Sequence, residues 1–439
     1  MNRITKIFIV VGLIFSIIPL SCKKELLNDD NFILSKMHSK GHVDDRLSNE
    51  VILYWSNAAF EAAGGASEGH PLLASRIEAM MHIAMHDALN AITPVYEQYV
   101  YKSQQSNSAN PFAAAASAAH TVLKASWADS GPMLDAKLAE SLSSIADGSA
   151  KEEGIALGIA SGNAILALRA GDGAYQNPVS DVPVSNVPGV YNAVPPNNFM
   201  YGAFWKTMQL FSLKTHDQFR SLPPPSLNLP SYARDFNEIK ELGKINSSVR
   251  TADQSFYASF WYELADIGWN RIARIEAKNQ NTGLYTTARM FALLNMALAD
   301  TYTEFIDSKY YYYTWRPYTA IRAATTDGNN QTIADPDWEP FLITPPVPEY
   351  PSGHSALGNA ASVILSHFFG HNSSFTTTST TASTPGAERS FKSFKQAADE
   401  NADSRVVAGI HFRFACDAGQ KMGDNVGRWT LKNYLKPLH

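Results

Sequence analysis

Apolar residues recur at every third or fourth position through most of this 439-residue chain, the period that covers one face of an α-helix. The spacing predicts one helix from Glu50 and others over 71–92, 112–127, 133–146, 151–169, 232–242, 251–273 and 286–315. Short strands do not alternate with these segments, which excludes a doubly wound α/β sheet. We therefore expect an all-α fold of about a dozen helices, arranged as two helical bundles.

Two stretches interrupt the helical pattern. The segment 176–230 contains nine prolines, which preclude long regular helices, and its aromatic residues favour packing over disorder. A loop of this length in a compact domain is usually functional or packed over something, so it forms either a rim over an active-site mouth or a structural arm. The second stretch, 372–384, is rich in Ser and Thr and predicts an exposed loop.

The first residues have the pattern of a targeting segment. Arg3 and Lys6 precede an apolar run over 7–20, and a small residue precedes Cys22. This pattern predicts a signal peptide over 1–22, of the bacterial lipoprotein type with Cys22 as the lipidated residue. Ordinary secretion and an uncleaved membrane anchor are the alternatives.

After this segment the polar stretch 23–45 predicts a flexible tether, and a single all-helical domain follows over 46–439. We expect an exported protein, a periplasmic or cell-envelope lipoprotein that meets the membrane only through its lipid. Lipidation would leave Cys416 as the one remaining cysteine, so no intrachain disulfide is available. The formal net charge of −5 argues against a nucleic-acid partner.

Lys309 and Arg316 lie seven residues apart, about two helical turns, so the spacing predicts that both side chains leave one face of a helix. Aromatic residues surround them, and Pro317 follows to end or kink the helix. Charges in such an apolar setting require a partner. We interpret the segment as a buried anion site rather than a surface helix with two solvated cations.

The stretch Pro351-Ser352-Gly353-His354 precedes a run of small residues that predicts the start of a helix. A helix N-terminus presents free N–H groups and a positive potential, which suits an oxyanion. Ser352 adds a hydroxyl, Gly353 lets its amide approach a ligand closely, and His354 is placed to donate or accept a proton. Taken alone, the stretch would instead be a helix cap with an incidental histidine.

Arg405 and His411 lie six residues apart, so on one straight helix they would not share a face. For both side chains to contact one ligand, the helix must break, for which Gly409 is the candidate, or the arginine side chain must extend over a long distance. Earlier in the chain, His82 and His86 have the i, i+4 spacing of metal ligands. Because no third ligand lies nearby in sequence, we interpret them as histidines packed beside a neighbouring helix.

Taken together and in this order, the motifs K-x6-R-P, P-S-G-H and S-R-x5-H resemble the three-part signature of the type 2 phosphatidic acid phosphatase and vanadium-dependent haloperoxidase superfamily. The chain is similar to bacterial vanadium haloperoxidases over most of its length, including 85–92, 250–254 and 288–317. The resemblance implies an all-α fold of two helical bundles, with 285–439 carrying the vanadate site. It also implies hydrogen peroxide and a halide as substrates.

The resemblance implies a role for each motif residue. His411 would bind vanadium through a ring nitrogen, His354 would manage the proton during peroxide binding, and Lys309 would polarise the bound peroxide. The residues that neutralise the vanadate oxygens would be Lys309, Arg316, Ser352, Gly353 and Arg405. The catalytic residues would be His354, Lys309 and His411, and the product hypohalous acid, with bromide or iodide favoured over chloride.

The chain departs from the family pattern at two positions. Ala415 stands where related proteins commonly carry an acid, so the acid that orients His411 would be Asp417 or a residue elsewhere in the chain. Val347 stands where haloperoxidases place Phe or His near the halide.

The same pocket is compatible with two other functions. In an acid phosphatase, His411 would attack phosphorus and His354 would protonate the leaving oxygen. A catalytically silent surface protein would keep the pocket for oxyanion capture. The similarity in the amino-terminal half, which has no counterpart in the small phosphatases, favours the haloperoxidase.

Overall fold

The computed structural model describes residues 47–67, 69–103 and 108–438. The predicted signal peptide, its Cys22 and the tether therefore lie outside the described residues. Within these ranges the chain is mostly helical with few short strands, which confirms the all-α prediction. No helix in the same ranges is long and apolar enough to cross a membrane.

Thirteen α-helices form within the described residues. They are α1 (Glu50–Ala62), α2 (Pro71–Ile92), α3 (Pro111–Ser126), α4 (Gly131–Ser143), α5 (Ser149–Arg169), α6 (Pro230–Leu242), α7 (Ala252–Phe260), α8 (Ala265–Asn279), α9 (Leu284–Tyr312), α10 (Pro317–Arg322), α11 (Gly353–Phe369), α12 (Phe394–Val407) and α13 (Arg413–Asn433). The strands of this part of the chain form two antiparallel pairs, β1 (Val179–Asp181) with β2 (Phe199–Tyr201) and β3 (Phe375–Thr377) with β4 (Arg389–Phe391).

The helices pack in two groups that share α9. In the first group α2, α3 and α5 pack on one another, and in the second α11 packs on both α12 and α13. The 29 residues of α9 are mostly buried, and this helix contacts α2 on one side and α11 and α13 on the other. A helix that is apolar on most of its faces is enclosed by others, and α9 accordingly lies between the two helix groups of the described residues.

Glycines bring α13 close to α11. Gly419, Gly423 and Gly427 form a glycine seam on α13, spaced four residues apart and facing α11. A Cβ added at Gly423 would lie 2.8 Å from Ala360 N and closer still to Ala356 O. At Gly423, the middle of this seam, backbone therefore packs on backbone.

Two predicted helices have different bounds in the structure. The segment 251–273 is not one helix, because α7 ends at Phe260 and α8 begins at Ala265. The apolar period continues through this break, so the pattern does not reveal it. The helix predicted over 286–315 ends at Tyr312, because Tyr313 adopts the left-handed conformation with a φ of 50°.

The proline-rich segment 176–230 packs as an arm over later parts of the chain. Tyr191 is buried, and its backbone N–H donates to Tyr313 O at 2.9 Å. The N–H of Tyr201 donates to Pro346 O at 2.8 Å. These bonds join the arm to the backbone of the K-x6-R-P motif and to the segment before P-S-G-H, as expected for a structural arm.

Asp300 of α9 anchors the same arm. Its buried carboxylate accepts hydrogen bonds from the backbone amides of Phe211, Ser212 and Leu213, at 2.7, 2.6 and 2.8 Å. A buried carboxylate is stable when several donors satisfy it, so these bonds fix the arm against the central helix.

The stretch 372–384 is not simply an exposed loop, contrary to the prediction. It contains β3, and the side chains of Thr377 and Ser379 are buried. The Ser379 hydroxyl donates to Phe260 O at 2.6 Å. The Ser379 hydroxyl is therefore used inside the fold, where it satisfies a backbone carbonyl.

Candidate active site

Lys309 lies in the last turn of α9 with its side chain buried. Its ammonium donates hydrogen bonds to the carbonyl oxygens of Pro348 and Glu349, at 2.8 and 2.9 Å. Burial, and then the nearby charge of Arg316, hold the pKa of this amine well below its usual value. An ammonium has three donors, so one remains for a ligand, and a bound anion would counter the shift.

Arg316 does not share a helix with Lys309, contrary to the prediction. It lies in the turn between α9 and α10, which begins where Tyr313 ends α9. Its buried guanidinium donates from Nε to Val347 O at 2.8 Å and from Nη1 to Ile410 O at 2.7 Å. Burial lowers the pKa of this group. A turn, rather than helical periodicity, brings the two cations together.

Ser352 and Gly353 form the start of α11, as predicted. Ser352 Oγ accepts a hydrogen bond from Ser355 Oγ at 2.8 Å, which leaves its own hydroxyl proton for a ligand. A Cβ at Gly353 would lie 2.9 Å from the ring of Phe305, so a side chain does not fit there without a shift of that ring. The first N–H groups of a helix have no intrahelical partner and are available to an anion.

His354 is half-buried in the first turn of α11. Its Nε2 lies 2.9 Å from Glu263 O. Because a carbonyl oxygen only accepts, Nε2 carries the proton and Nδ1 is the basic nitrogen of the neutral ring. Burial, and then the charge of Arg405, lower the pKa of this histidine well below its usual value, which keeps the ring neutral near pH 7.

The helix that carries Arg405 breaks where the sequence predicts. α12 ends at Val407, and Gly409 has a φ of 80°, which a residue with a side chain rarely adopts. Arg405 is buried and donates from Nη1 to Trp261 O at 3.0 Å. Burial lowers the pKa of its guanidinium to about 10.

The imidazole of His411 lies between an acid and a cation. Its Nδ1 is 3.0 Å from Glu349 Oε1, and its Nε2 is 3.1 Å from Arg316 Nη1. Glu349 Oε1 also accepts from Phe412 N at 3.0 Å. Burial raises the pKa of Glu349 to about 7, whereas burial and the surrounding cations lower the pKa of His411 well below its usual value.

The acid that contacts His411 is Glu349, which the sequence analysis did not name. Asp417 is exposed, and the acid in contact with His411 comes from elsewhere in the chain, which is the other alternative that the sequence left open. Ala415 is buried, and its carbonyl accepts from Ser352 N at 3.0 Å. Glu349 and His411 are 62 residues apart in sequence, so no local spacing relates them. The available signal was a lone acid in the otherwise uncharged run 340–351.

The motif residues converge on one buried region. After burial, the charges of Arg316, Lys309, Arg405 and His354 lower the pKa of His411, which means that all four lie within electrostatic reach of it. Three cations from two parts of the chain, 309–316 and Arg405, therefore lie near one imidazole.

The donors of this region fit a multiply charged oxyanion. Among the described residues, two buried guanidinium nitrogens of the site lack a hydrogen-bond partner, Arg316 Nη2 and Arg405 Nε. A buried donor without a partner costs about 1–3 kcal/mol, and more when it is charged. A tetrahedral oxyanion such as vanadate or phosphate would accept from both guanidinium groups and from the Ser352 hydroxyl.

His82 and His86 are packing residues, as the sequence analysis favoured. The His82 ring stacks on Phe291 with centroids 4.8 Å apart, and the His86 Nε2 lies 3.0 Å from Glu97 O. Within the described part of the chain, no group of three His, Cys, Asp or Glu residues is arranged to hold a metal ion.

Comparisons with known proteins agree with this architecture. Residues 289–439 match the family model described as the VCPO second helical-bundle domain, and they include all the motif residues of the site. No sequence among the curated proteins matches the chain.

Solved structures of vanadium haloperoxidases resemble the whole fold. A bacterial vanadium-dependent iodoperoxidase superposes with a TM-score of 0.77 and 26% identity, covering 90% of this chain and 99% of its own. A holo-type bacterial vanadium-dependent chloroperoxidase has a TM-score of 0.68 and 18% identity, covering 84% and 93%. The apo-type chloroperoxidase has a TM-score of 0.63 and 18% identity, covering 82% and 92%. The matched domain and the overall fold are therefore similar to those of the vanadium haloperoxidase-like superfamily.

Proposed function

We propose that this protein is a vanadate-dependent haloperoxidase that oxidises a halide with hydrogen peroxide to hypohalous acid. The observation that carries the proposal is the imidazole of His411, whose Nδ1 contacts the Glu349 carboxyl while its Nε2 contacts the Arg316 guanidinium, with the charges of Lys309 and Arg405 also within reach. Such a setting presents Nε2 as a ligand beside groups that neutralise an oxyanion. The similarity to a solved iodoperoxidase over 90% of the chain supports the same activity.

The motif residues would have different roles in binding vanadate. His411 would provide the vanadium ligand through Nε2, and the vanadate oxygens would be neutralised by Lys309, Arg316, Ser352, Gly353 and Arg405. When bound, vanadate supplies a Lewis acid that makes peroxide susceptible to attack by halide, without a change in the metal's oxidation state. Lys309 would use its remaining ammonium proton to polarise the peroxide.

His354 would move the proton when peroxide binds. Its Nε2–H is bonded to Glu263 O, so the ring cannot rotate without loss of that bond, and Nδ1 is the nitrogen that accepts a proton. Its lowered pKa keeps Nδ1 unprotonated at neutral pH and therefore ready to accept. The neighbouring Arg405 disfavours a lasting positive charge on the ring, which favours prompt return of the proton to the product.

We propose iodide or bromide, rather than chloride, as the halide. Iodide and bromide give up electrons more readily than chloride, so they demand less activation of the peroxide. Val347 provides an aliphatic side chain where a histidine or an aromatic ring would otherwise assist, and its carbonyl is already bonded to Arg316. The iodoperoxidase named above is also the more similar of the two kinds of relative in identity, at 26% against 18%.

An acid phosphatase is the competing function, and one observation favours it. The bond between the His411 Nδ1 and Glu349 Oε1 also raises the nucleophilicity of Nε2, which an attack on phosphorus requires. Phosphate has the same tetrahedral shape as vanadate, so the cations of the site would serve either anion.

Parallel assays distinguish these functions. The protein is freed of bound anion and loaded with vanadate, and iodide, bromide and chloride oxidation by peroxide are measured beside p-nitrophenyl phosphate hydrolysis. Iodide turnover that requires vanadate supports the proposal, whereas hydrolysis that vanadate abolishes supports the phosphatase. Protein that binds vanadate but is inert in both assays would be an oxyanion-capture protein.

Two variants test the assigned roles within the haloperoxidase. His411→Ala is expected to lose vanadate retention, because it removes the metal ligand, whereas His354→Ala is expected to lower turnover more than vanadate affinity. Equal vanadate affinity of wild type and His411→Ala would contradict the role of His411. Equilibrium dialysis with vanadium analysis measures the affinity independently of turnover.

We also propose that the protein is exported and anchored by a lipid on Cys22. The basic residues, the apolar run and the cysteine at the cleavage site support this location. Labelling of cells with a radioactive fatty acid tests it, since wild type would carry label and Cys22→Ala would not. Label on both proteins or on neither would overturn the proposal.

A further inference from the structure

We propose that Glu349 is a positioning residue for this site, which orients His411 through its side chain and Lys309 through its backbone. The inference rests on the proposed function and adds to it the residue that joins the separate motifs. It explains how the site dispenses with the acid that Ala415 replaces.

The side chain of Glu349 fixes the orientation of His411. One oxygen, Oε1, accepts from both the imidazole Nδ1 and the backbone N–H of Phe412, each at 3.0 Å. The carboxyl is fully buried, so water does not compete for these bonds. Glu349 Oε1 therefore restrains both the imidazole of His411 and the backbone directly after it.

This contact also selects the tautomer. Glu349 Oε1 already acts as the acceptor of the Phe412 N–H, and the Arg316 guanidinium at Nε2 only donates, so the proton of neutral His411 lies on Nδ1 and the lone pair lies on Nε2. Nε2 lies 3.1 Å from Arg316 Nη1. The opposite tautomer would place two lone pairs against each other at Oε1 and remove the proposed ligand atom.

The backbone of Glu349 holds the other signature segments. Its carbonyl accepts from the Lys309 ammonium at 2.9 Å, and its N–H donates to Thr314 O at 3.0 Å, in the turn that leads to Arg316. Glu349 also lies just before the segment that begins α11. One residue therefore contacts a part of each motif or the backbone next to it.

Side-chain variants separate orientation from charge. Glu349→Gln keeps an acceptor at Oε1 but removes the charge, whereas Glu349→Leu removes the acceptor at similar volume. The matched control is Glu304→Gln. Glu304 is also fully buried, its Oε1 accepts a backbone N–H from Phe219 at 2.6 Å, and its Oε2 is unpartnered like that of Glu349. Only Glu349 contacts an imidazole, so a general effect of losing a buried acid appears in both.

The first readout is the tautomer of His411 in protein without vanadate. Nitrogen NMR of histidine-labelled protein, assigned with His411→Gln, reports which ring nitrogen carries the proton. We expect Nδ1–H in wild type, Glu349→Gln and the control, and an Nε2–H population in Glu349→Leu. Nδ1–H alone in folded Glu349→Leu would overturn the proposal, and so would Nε2–H in wild type.

The second readout is the vanadate dissociation constant from equilibrium dialysis. Loss of an outer-shell partner typically weakens metal binding by about 10–100-fold, so we expect that range for Glu349→Leu, and up to about 10-fold for Glu349→Gln. The control is expected to stay within about twofold of wild type. If Glu349→Leu does not fold, Glu349→Gln decides, and an affinity equal to the control would overturn the proposal.

The two readouts also distinguish this inference from the proposed function. A wild type that binds vanadate but oxidises no halide would refute the haloperoxidase, while the tautomer and affinity comparisons would still test Glu349. A wild type that turns over iodide, with both Glu349 variants unchanged in tautomer and affinity, would refute the positioning role alone.

Discussion

The substitution Gly423→Ala tests whether the close contact of α11 and α13 positions the site. The added Cβ would lie 2.8 Å from Ala360 N and closer to Ala356 O, where ordinary contacts begin at 3.4 Å. Both neighbours are backbone atoms, so no side chain can rotate to make room. The two helices must therefore move apart, or α13 must shift along α11.

The magnitude follows from two opposing effects. Alanine gains roughly 1 kcal/mol over glycine in a helix, while overpacking of a close contact costs about 1–3 kcal/mol and occasionally more. Because the contact is with backbone, we expect the upper end of this cost and a net loss of about 2 kcal/mol in the free energy of unfolding. Misplacement of reacting groups by about 1 Å can cost 100-fold in rate, so a shift of roughly half that size is expected to lower kcat at least 10-fold.

Urea unfolding measures the first effect, and iodide oxidation with saturating vanadate measures the second. The control is Gly171→Ala, because nothing lies within 4 Å of a Cβ at that position. A variant with Gly423→Ala whose unfolding free energy stays within about 0.5 kcal/mol of wild type, with unchanged kcat, would refute the argument. Lost stability with normal kcat would show that the seam supports the fold without positioning the site.

Two further substitutions test buried ionisable groups through the pH dependence of the unfolding free energy. Burial lowers the pKa of His82 to about 3, so only the unfolded state gains a proton as pH falls below about 6.5, and wild type loses stability there. His82→Leu should reduce this loss of unfolding free energy between pH 6.5 and 5 by roughly 2 kcal/mol. Equal losses in both proteins, measured by urea unfolding, would contradict this. Burial raises the pKa of Glu304 to about 8, so the folded state keeps a proton that the unfolded state releases above about 4.5, and stability falls as pH rises towards 8. Glu304→Gln should reduce this fall in the free energy of unfolding by roughly 2 kcal/mol between pH 6 and 8. An unchanged pH dependence in denaturant titrations would show that the carboxyl is ionised in the folded protein.

The sequence predicts helices well where burial follows a helical period. The segment 71–92 has a wide apolar stripe and forms α2 with these bounds. The break between α7 and α8 was missed because it serves tertiary contacts. The carbonyls of Trp261 and Glu263 in this break accept from Arg405 and His354, which no local pattern encodes.

In the candidate site, too, features encoded locally were predicted and features set by tertiary contacts were missed. The motif residues were predicted by their types and order, and the break at Gly409 by the spacing of Arg405 and His411. The placement of Arg316 was wrong, because seven residues match two helical turns whereas the left-handed Tyr313 ends α9 first. Glu349 was missed because its partner lies far along the chain, in a contact that exists only in the folded protein.

The proline-rich arm, which contains no signature residue, supports the segments that carry the signature. Trp315 N donates to Gly189 O at 3.0 Å, and the Tyr350 hydroxyl donates to Leu222 O at 2.6 Å, so the arm secures the backbone beside two of the three signature pieces. A fragment that began at residue 289 would retain every signature residue and lose this restraint. Proteins that share the signature but have a shorter amino-terminal half must hold the segments around Trp315 and Tyr350 by other contacts.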